Sequence, residues 1–135
     1  MFDTPHKALR FAFSELLTQA GKTDFKQIKE VRALKDRMQQ VFSLVKSHSH
    51  HEDDICFADL DKIAPNATQH DRLEHIRLHR KLDDLMVMAI IIIDGIKAER
   101  PGHITGRALY TDLCQLHAEM LTHMMEEERD TQPVF

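Results

Sequence analysis

The chain has 135 residues, of which 42% are hydrophobic and 30% charged, and its net charge is −4. This size and composition fit a single domain spanning residues 1–135 and exclude a disordered or fibrous protein. The acidic balance makes nucleic acid and anionic membranes poor partners. Four Gly and four Pro are too few for the frequent turns of a β-sandwich or barrel, so we expect an all-α fold.

The sparse Gly and Pro residues divide the chain into four predicted helices. Thr4 and Pro5 form a helix start, and Gly21 ends that first helix. Asp24 can cap the second, which continues without Gly or Pro up to the turn sequence DKIAPNAT. Arg-Pro-Gly at 100–102 stops the third helix. The predicted helices span residues 5–20, 24–58, 67–99 and 104–131.

Each predicted helix carries one stripe of residues spaced alternately three and four apart, which marks the face that points to the core. The second and fourth stripes each contain a His followed four residues later by a Glu, after which only the second continues, to Ile55. The first and third stripes begin with His. Short connections predict antiparallel neighbours, and therefore an up-down-up-down four-helix bundle. The polar stripe members are His6, His48, Glu52, His75, His79, His123 and Glu127.

The polar members of the four stripes are predicted to meet at one end of the bundle. In an antiparallel hairpin, residues equidistant from the turn lie at the same height. His48 and His75 are equidistant from the second turn, and His79 and His123 from the third. His6 is offset from His48 by about one helical turn, roughly 5 Å.

This predicted cluster of five imidazoles and two carboxylates suits a pair of transition-metal ions and overfills one tetrahedral zinc. If Glu52 and Glu127 bridge the two ions together with a solvent oxo or hydroxo group, one ion is six-coordinate. The other then keeps one open position, where a small diatomic ligand would bind. Both carboxylates lie on core-facing stripes, where an unpaired charge is costly, so a cation is expected beside them.

The segments SHSHHEDDICFADL, LEHIRLHRKL and LTHMMEEERDTQP, with His6 upstream, resemble the hemerythrin and hemerythrin HHE cation-binding family across essentially the whole chain. The resemblance implies a non-haem di-iron centre, bridged by an oxo or hydroxo group, that binds or senses O₂ or NO or handles iron. Family ligand positions assign His75, His79 and His123 to one iron, His6 and His48 to the other, and Glu52 and Glu127 to the bridges.

Two details of the ligand set stay open. Carrier hemerythrins place the last carboxylate five residues after its His, which corresponds to Glu128, whereas the inward stripe selects Glu127. Regulatory members often lack the second His of the third helix, which would leave a four-His site without His79.

Two other functions compete with metal-dependent ligand binding. A di-iron oxidase or peroxidase of the ferritin-like type would use Glu-x-x-His pairs, but no inward His has a Glu three residues before it. That absence favours a binding protein over an enzyme. The other alternative is a zinc-loaded or metal-free structural bundle.

The compartment and the oligomeric state are also predicted from the sequence. Cys56 and Cys114 cannot form a multi-bridge framework, and the initial MFDTPHK lacks the apolar stretch of a signal peptide, so we expect a cytoplasmic protein. The longest apolar run, from Leu85 to Ile93, is about half of a bilayer span. Residues 90–93 are apolar around the whole helix, which predicts a modest homodimer interface.

Overall fold

The computed structural model describes residues 3–66, 68–100 and 102–131, and every regular element in these ranges is helical. Two five-residue π-helical segments, the first after α2 and the second after α5, interrupt the α-helical hydrogen bonding. In chain order the elements are α1 (Asp3–Lys22), α2 (Ile28–His51), the first π segment (Glu52–Cys56), α3 (Phe57–Ile63), α4 (Gln69–Lys97), α5 (Gly106–Glu126) and the second π segment (Glu127–Thr131).

Four long helices result, because α2, the first π segment and α3 follow one another without a break. α1 packs against α2 and α5, and α4 packs against the same two helices. The predicted all-α four-helix bundle is therefore confirmed. In the ranges that the structure describes, no helix is both long and apolar enough to cross a membrane.

The second helix begins and ends later than predicted, for local reasons at each end. At its start, the carboxylate of Asp24 accepts a hydrogen bond of 2.9 Å from the backbone N–H of Lys26, so the chain turns before the helix begins. At its end, α3 continues to Ile63, and Ala64 is extended with φ −133°. Pro65 disfavours the helical conformation for the residue before it.

The core lies along the bundle axis and is built from the predicted stripes. Its fully buried side chains come from all four long helices and include Phe13, Leu16, Leu34, Met38, Leu82, Leu109, Leu113 and Leu116. Burying one such side chain contributes about 1.5–3 kcal/mol. Five polar residues from the stripes are buried as well, namely His6, Glu52, His75, His123 and Glu127.

Two glycines in helical elements are expected to respond in opposite ways to alanine. A Cβ at Gly106 would lie 2.1 Å from Cγ of Phe25 and 2.5 Å from its Cβ, so Gly106→Ala forces the backbone apart. A Cβ at Gly21 would meet only the Tyr110 ring, at 3.8 Å. We expect Gly106→Ala to lower the free energy of unfolding by about 1–3 kcal/mol, and Gly21→Ala to raise it by about 0.4–1 kcal/mol.

Urea unfolding of the two variants beside the unmodified protein measures both effects. Each variant serves as the control for the other, because both add one methyl group to a helical glycine. Equal free energies of unfolding for the two variants would contradict the close packing of Phe25 on α5.

Candidate metal centre

The two glutamates of the predicted His and Glu cluster, Glu52 and Glu127, are the first residues of the two π segments. Glu52 opens the first, in which the Phe57 backbone N–H donates to the Glu52 carbonyl five residues earlier, and Glu127 opens the second. Such π turns are rare and are found mainly at functional sites. Regular helix is predicted at both places from the sequence, since apolar periodicity does not distinguish a π turn from an α turn.

A first group of four ligand-type residues comes from three helices. One donor atom from each of His6, His48, Glu52 and Glu127 lies within 4.8 Å of the others. Nε2 of His6 is 3.1 Å from Nε2 of His48 and 3.5 Å from Oε1 of Glu127. Nε2 of His48 is 2.9 Å from Oε1 of Glu52.

A second group combines His75 of α4 and His123 of α5 with the same Glu127. Nε2 of His123 is 3.1 Å from Oε1 of Glu127, and Nε2 of His75 is 3.5 Å from Oε2 of that residue. Nε2 of His75 also lies 3.6 Å from Oε1 of Glu52. The Glu127 carboxylate therefore stands between imidazoles of the two groups, which is the placement of a bridging ligand, whereas Glu52 belongs to the first group alone.

The distances within these groups fit donors arranged around a metal ion. Two donors about 2.1 Å from one ion, at angles between about 90° and 109°, are about 3.0–3.4 Å apart. The short donor separations given above for atoms within one group run from 2.9 to 3.5 Å. The residues present therefore fit two ions that share the Glu127 carboxylate.

Several buried donor atoms of the cluster have no hydrogen-bond partner within the described residues. These atoms are Oε1 and Oε2 of Glu52 and of Glu127, Nε2 of His75, and both ring nitrogens of His123. Buried polar groups are nearly always hydrogen-bonded, because an unpartnered one costs free energy. Nitrogens and oxygens that lie within ion-pair distance without hydrogen-bond geometry are the expected state of ligands aimed at a cation.

Burial and mutual proximity shift the pKa values of the cluster. Burial, followed by the adjacent Glu127 carboxylate, raises the pKa of Glu52 to about 11. For Glu127, burial is outweighed by the His123 and His75 imidazoles, which lower its pKa. Without metal, the two facing carboxylates therefore hold one proton between them near neutral pH.

The pKa values of three cluster imidazoles are shifted in different directions. Burial lowers the pKa of His6, and burial with the neighbouring His6 ring lowers the pKa of His48 to about 4, so both are neutral near neutral pH. Burial also opposes a charge on His75, but the Glu127 and Asp53 carboxylates outweigh it and raise its pKa.

Two carboxylates outside the cluster hydrogen-bond to cluster imidazoles. Nδ1 of His75 lies 3.0 Å from Oδ1 of Asp53, and Nδ1 of His6 lies 3.1 Å from Oε1 of Glu128. Arg10 donates two hydrogen bonds to Glu128, of 2.7 and 2.8 Å. These supporting roles were not predicted from the sequence, although an acidic residue follows each cluster glutamate.

Of the seven predicted ligands, the structure brings six together and leaves His79 aside. His79 belongs to neither group, and its ring stacks on His75 with centroids 6.4 Å apart. Its Nε2 is buried without a hydrogen-bond partner in the part of the chain that is described, and burial lowers its pKa. Glu128, the alternative to Glu127, is likewise outside both groups.

Comparison of the chain with protein-family models, curated proteins and solved structures finds no match. Donor chemistry, burial and interatomic distances are therefore what support an assignment of function.

Proposed function

We propose that this protein binds a pair of transition-metal ions at one end of an up-down-up-down helical bundle. His6, His48 and Glu52 hold one ion, His75 and His123 hold the other, and Glu127 is shared. The observation that carries the proposal is the convergence of ligand-type side chains from all four long helices. Many of their buried donor atoms have no hydrogen-bond partner within the described residues.

Iron is the metal that we assign, in a di-iron centre of the hemerythrin type. The donors are imidazoles and carboxylates with no thiolate, which suits iron in sites that retain open positions. When bound, two iron ions would supply electrons and an open coordination position for a small diatomic ligand such as O₂ or NO. A binding or sensing role follows, rather than turnover of an organic substrate.

The chain's own residues create the surroundings that such a ligand needs. Glu52 and Glu127 are only 1% exposed in their side chains, and His6 is fully buried, so bulk water is kept from the donors. The second group contains two imidazoles and the shared carboxylate, which leaves room at that ion for an external ligand. A metal-loaded structure would show directly whether His79 turns toward this ion.

The decisive experiment is the metal content of protein purified from iron-supplemented cells, measured by plasma mass spectrometry. An absorption spectrum before and after dithionite accompanies it. We expect two iron ions per chain and a charge-transfer band that dithionite bleaches. Zinc alone, or no metal in a protein that also refuses ferrous iron under anaerobic conditions, would overturn the proposal.

Metal loading is expected to release protons. Near neutral pH the facing Glu52 and Glu127 carboxylates hold a proton, because burial raises the pKa of Glu52 to about 11, and two bound cations displace it. Because the proton competes with the cations, affinity rises with pH over the range in which the carboxylate pair holds its proton, about tenfold per pH unit for each proton displaced. Calorimetric titration with ferrous iron, under anaerobic conditions in two buffers of different ionisation enthalpy, counts these protons. Identical heats in the two buffers would contradict the shared proton.

A further inference from the structure

The acidic residue that follows each cluster glutamate reaches a histidine on a neighbouring helix. Asp53 follows Glu52 and contacts His75 of α4, while Glu128 follows Glu127 and contacts His6 of α1. The sequence His-x-x-x-Glu-acid thus occurs twice, at 48–53 and 123–128. In each copy, the last acidic residue contacts a histidine of a neighbouring helix.

We propose that Asp53 and Glu128 are positioning residues that hold His75 and His6 with the proton on Nδ1, so that Nε2 is the metal-binding atom. The inference rests on the proposed metal pair and deepens it by assigning one supporting carboxylate to each ion. His6 belongs to the first ligand group and His75 to the second, so each ion has one imidazole held in this way.

The contacts of each imidazole favour a hydrogen on Nδ1. An ionised carboxylate only accepts, and the contact that has hydrogen-bond geometry is the one at Nδ1, at 3.0 Å for His75 and 3.1 Å for His6, whereas the 3.5 Å approaches of Nε2 to Glu127 do not have it. In both rings the carboxylate faces Nδ1, and Nε2 lies among the cluster atoms, 3.1 Å from His48 Nε2 for His6 and 3.5 Å from Glu127 Oε2 for His75. Carboxylates placed in this way behind metal-binding imidazoles fix the tautomer and increase the ligand's basicity.

At the start of each π segment, two consecutive residues face different parts of the bundle. Glu52 and Glu127 open these segments and point into the core, with side chains about 1% exposed. Asp53 and Glu128, with side chains 27% and 24% exposed, lie at the flanks that face α4 and α1 respectively.

The two supports differ in charge, and this difference makes the two ion positions unequal. Arg10 neutralises Glu128 through two hydrogen bonds. Within the described ranges no Lys or Arg lies at ion-pair distance from Asp53, so His75 faces a carboxylate whose charge is uncompensated. A more anionic support makes the imidazole a stronger donor, so Asp53 strengthens its imidazole more than Glu128 does.

Nitrogen-15 chemical shifts of the imidazoles in the metal-free protein test the positioning directly, at a pH high enough that His75, whose pKa is raised, has become neutral. In the unmodified protein we expect His6 and His75 as the Nδ1–H tautomer. Asp53→Ala should move only His75 toward Nε2–H, and Glu128→Ala should move only His6. Asp53→Asn keeps an accepting oxygen and should preserve the tautomer.

Metal affinity provides the second readout, from titrations that resolve two binding events. Asp53→Ala and Glu128→Ala should each weaken one ion by about 10- to 100-fold and leave the other within a few-fold. The matched controls are Asp54→Ala, whose carboxylate pairs with exposed His50, and Glu126→Ala, whose carboxylate pairs with exposed His70. Neither control should change a tautomer or an affinity.

The positioning roles and the proposed metal-binding function would be contradicted by different results. Nε2–H tautomers for His6 and His75 in the unmodified protein, or Ala variants that behave like their controls in both measurements, would overturn the positioning roles. An unmodified protein that binds no metal ion but shows the expected tautomers would overturn the proposed function, while leaving the orientation of the two imidazoles established.

Discussion

Glu127→Gln is expected to abolish binding of both metal ions. Glu127 is the residue that the two ligand groups share, and its oxygens lie 3.1–3.5 Å from Nε2 of His6, His75 and His123. An amide keeps the shape of the carboxylate but offers one neutral oxygen, so it cannot neutralise and bridge two cations. We expect less than one tightly bound ion per chain, against two for the unmodified protein.

Loss of the metal pair also removes the stabilisation that it provides. A ligand present at about 100 times its Kd stabilises a folded protein by about 2.7 kcal/mol. In denaturant titrations with and without ferrous iron, under anaerobic conditions, the unmodified protein should show a gain of this order, and Glu127→Gln should show none. The metal-free variant should keep its helical content, because the substitution is isosteric.

Two other variants test whether the effect of Glu127→Gln depends on that residue's place in both ligand groups. Glu52→Gln should cost mainly the ion at His6 and His48, because Glu52 belongs to that ligand group alone. Glu126→Gln, one residue away on the surface, should change neither stoichiometry nor stability. Retention of two tightly bound ions by Glu127→Gln would show that this carboxylate does not hold the metal pair.

Phe13→Ala is expected to lower the free energy of unfolding by about 3–5 kcal/mol, as truncation of a buried aromatic side chain generally does. Phe13 is fully buried in the core, with its ring 5.7 Å from the ring of His117 and 6.5 Å from that of Phe42. Removing the ring leaves a cavity between α1, α2 and α5 that the bundle cannot fill without moving its helices.

Phe11→Ala is a matched control for this substitution, two residues away on the same helix. The Phe11 side chain is 68% exposed, so its loss should change the free energy of unfolding by no more than about 0.5 kcal/mol. Urea unfolding of the metal-free proteins measures both. Similar values for the two variants would mean that α1 does not pack on the bundle through the face that carries Phe13.

The helices and their inward faces could be predicted from the sequence because both depend on local information. The stripe positions Leu34, Met38, Leu82 and Leu113 are all buried, as their spacing predicts. The prediction was wrong for Ile55, which is 53% exposed, because it lies in the first π segment, where the regular α-helical spacing is lost. Proline and glycine mark the breaks for steric reasons that do not depend on the rest of the fold. The error at Asp24 arose because a carboxylate can form a turn as readily as a helix cap.

The π segments could not be predicted from that spacing. The additional residue in a helical turn rotates the side chains that follow about the helix axis, and the apolar spacing does not mark where that residue is added. The structure places both glutamates at the start of such segments.

His79 shows most clearly what sequence spacing does not determine. It lies four residues after His75, so an ideal helix places both on one face. The structure stacks the two rings side by side, with His75 inside a ligand group and His79 outside both. Helical spacing determines the face, whereas the rotation of α4 against α2 and α5 determines which residue reaches the bundle axis.

The helical fold, the inward face of each helix and the end of the bundle where His and Glu side chains meet could be predicted from residue order, because they follow from periodicity and distance to a turn. Contacts between helices place Glu127 rather than Glu128 in both ligand groups, and they bring Arg10, Asp53 and Glu128 behind the imidazoles. These contacts join residues that can lie far apart in the chain. His6 and Glu128, for example, are more than a hundred residues apart. No local pattern encodes such a distance.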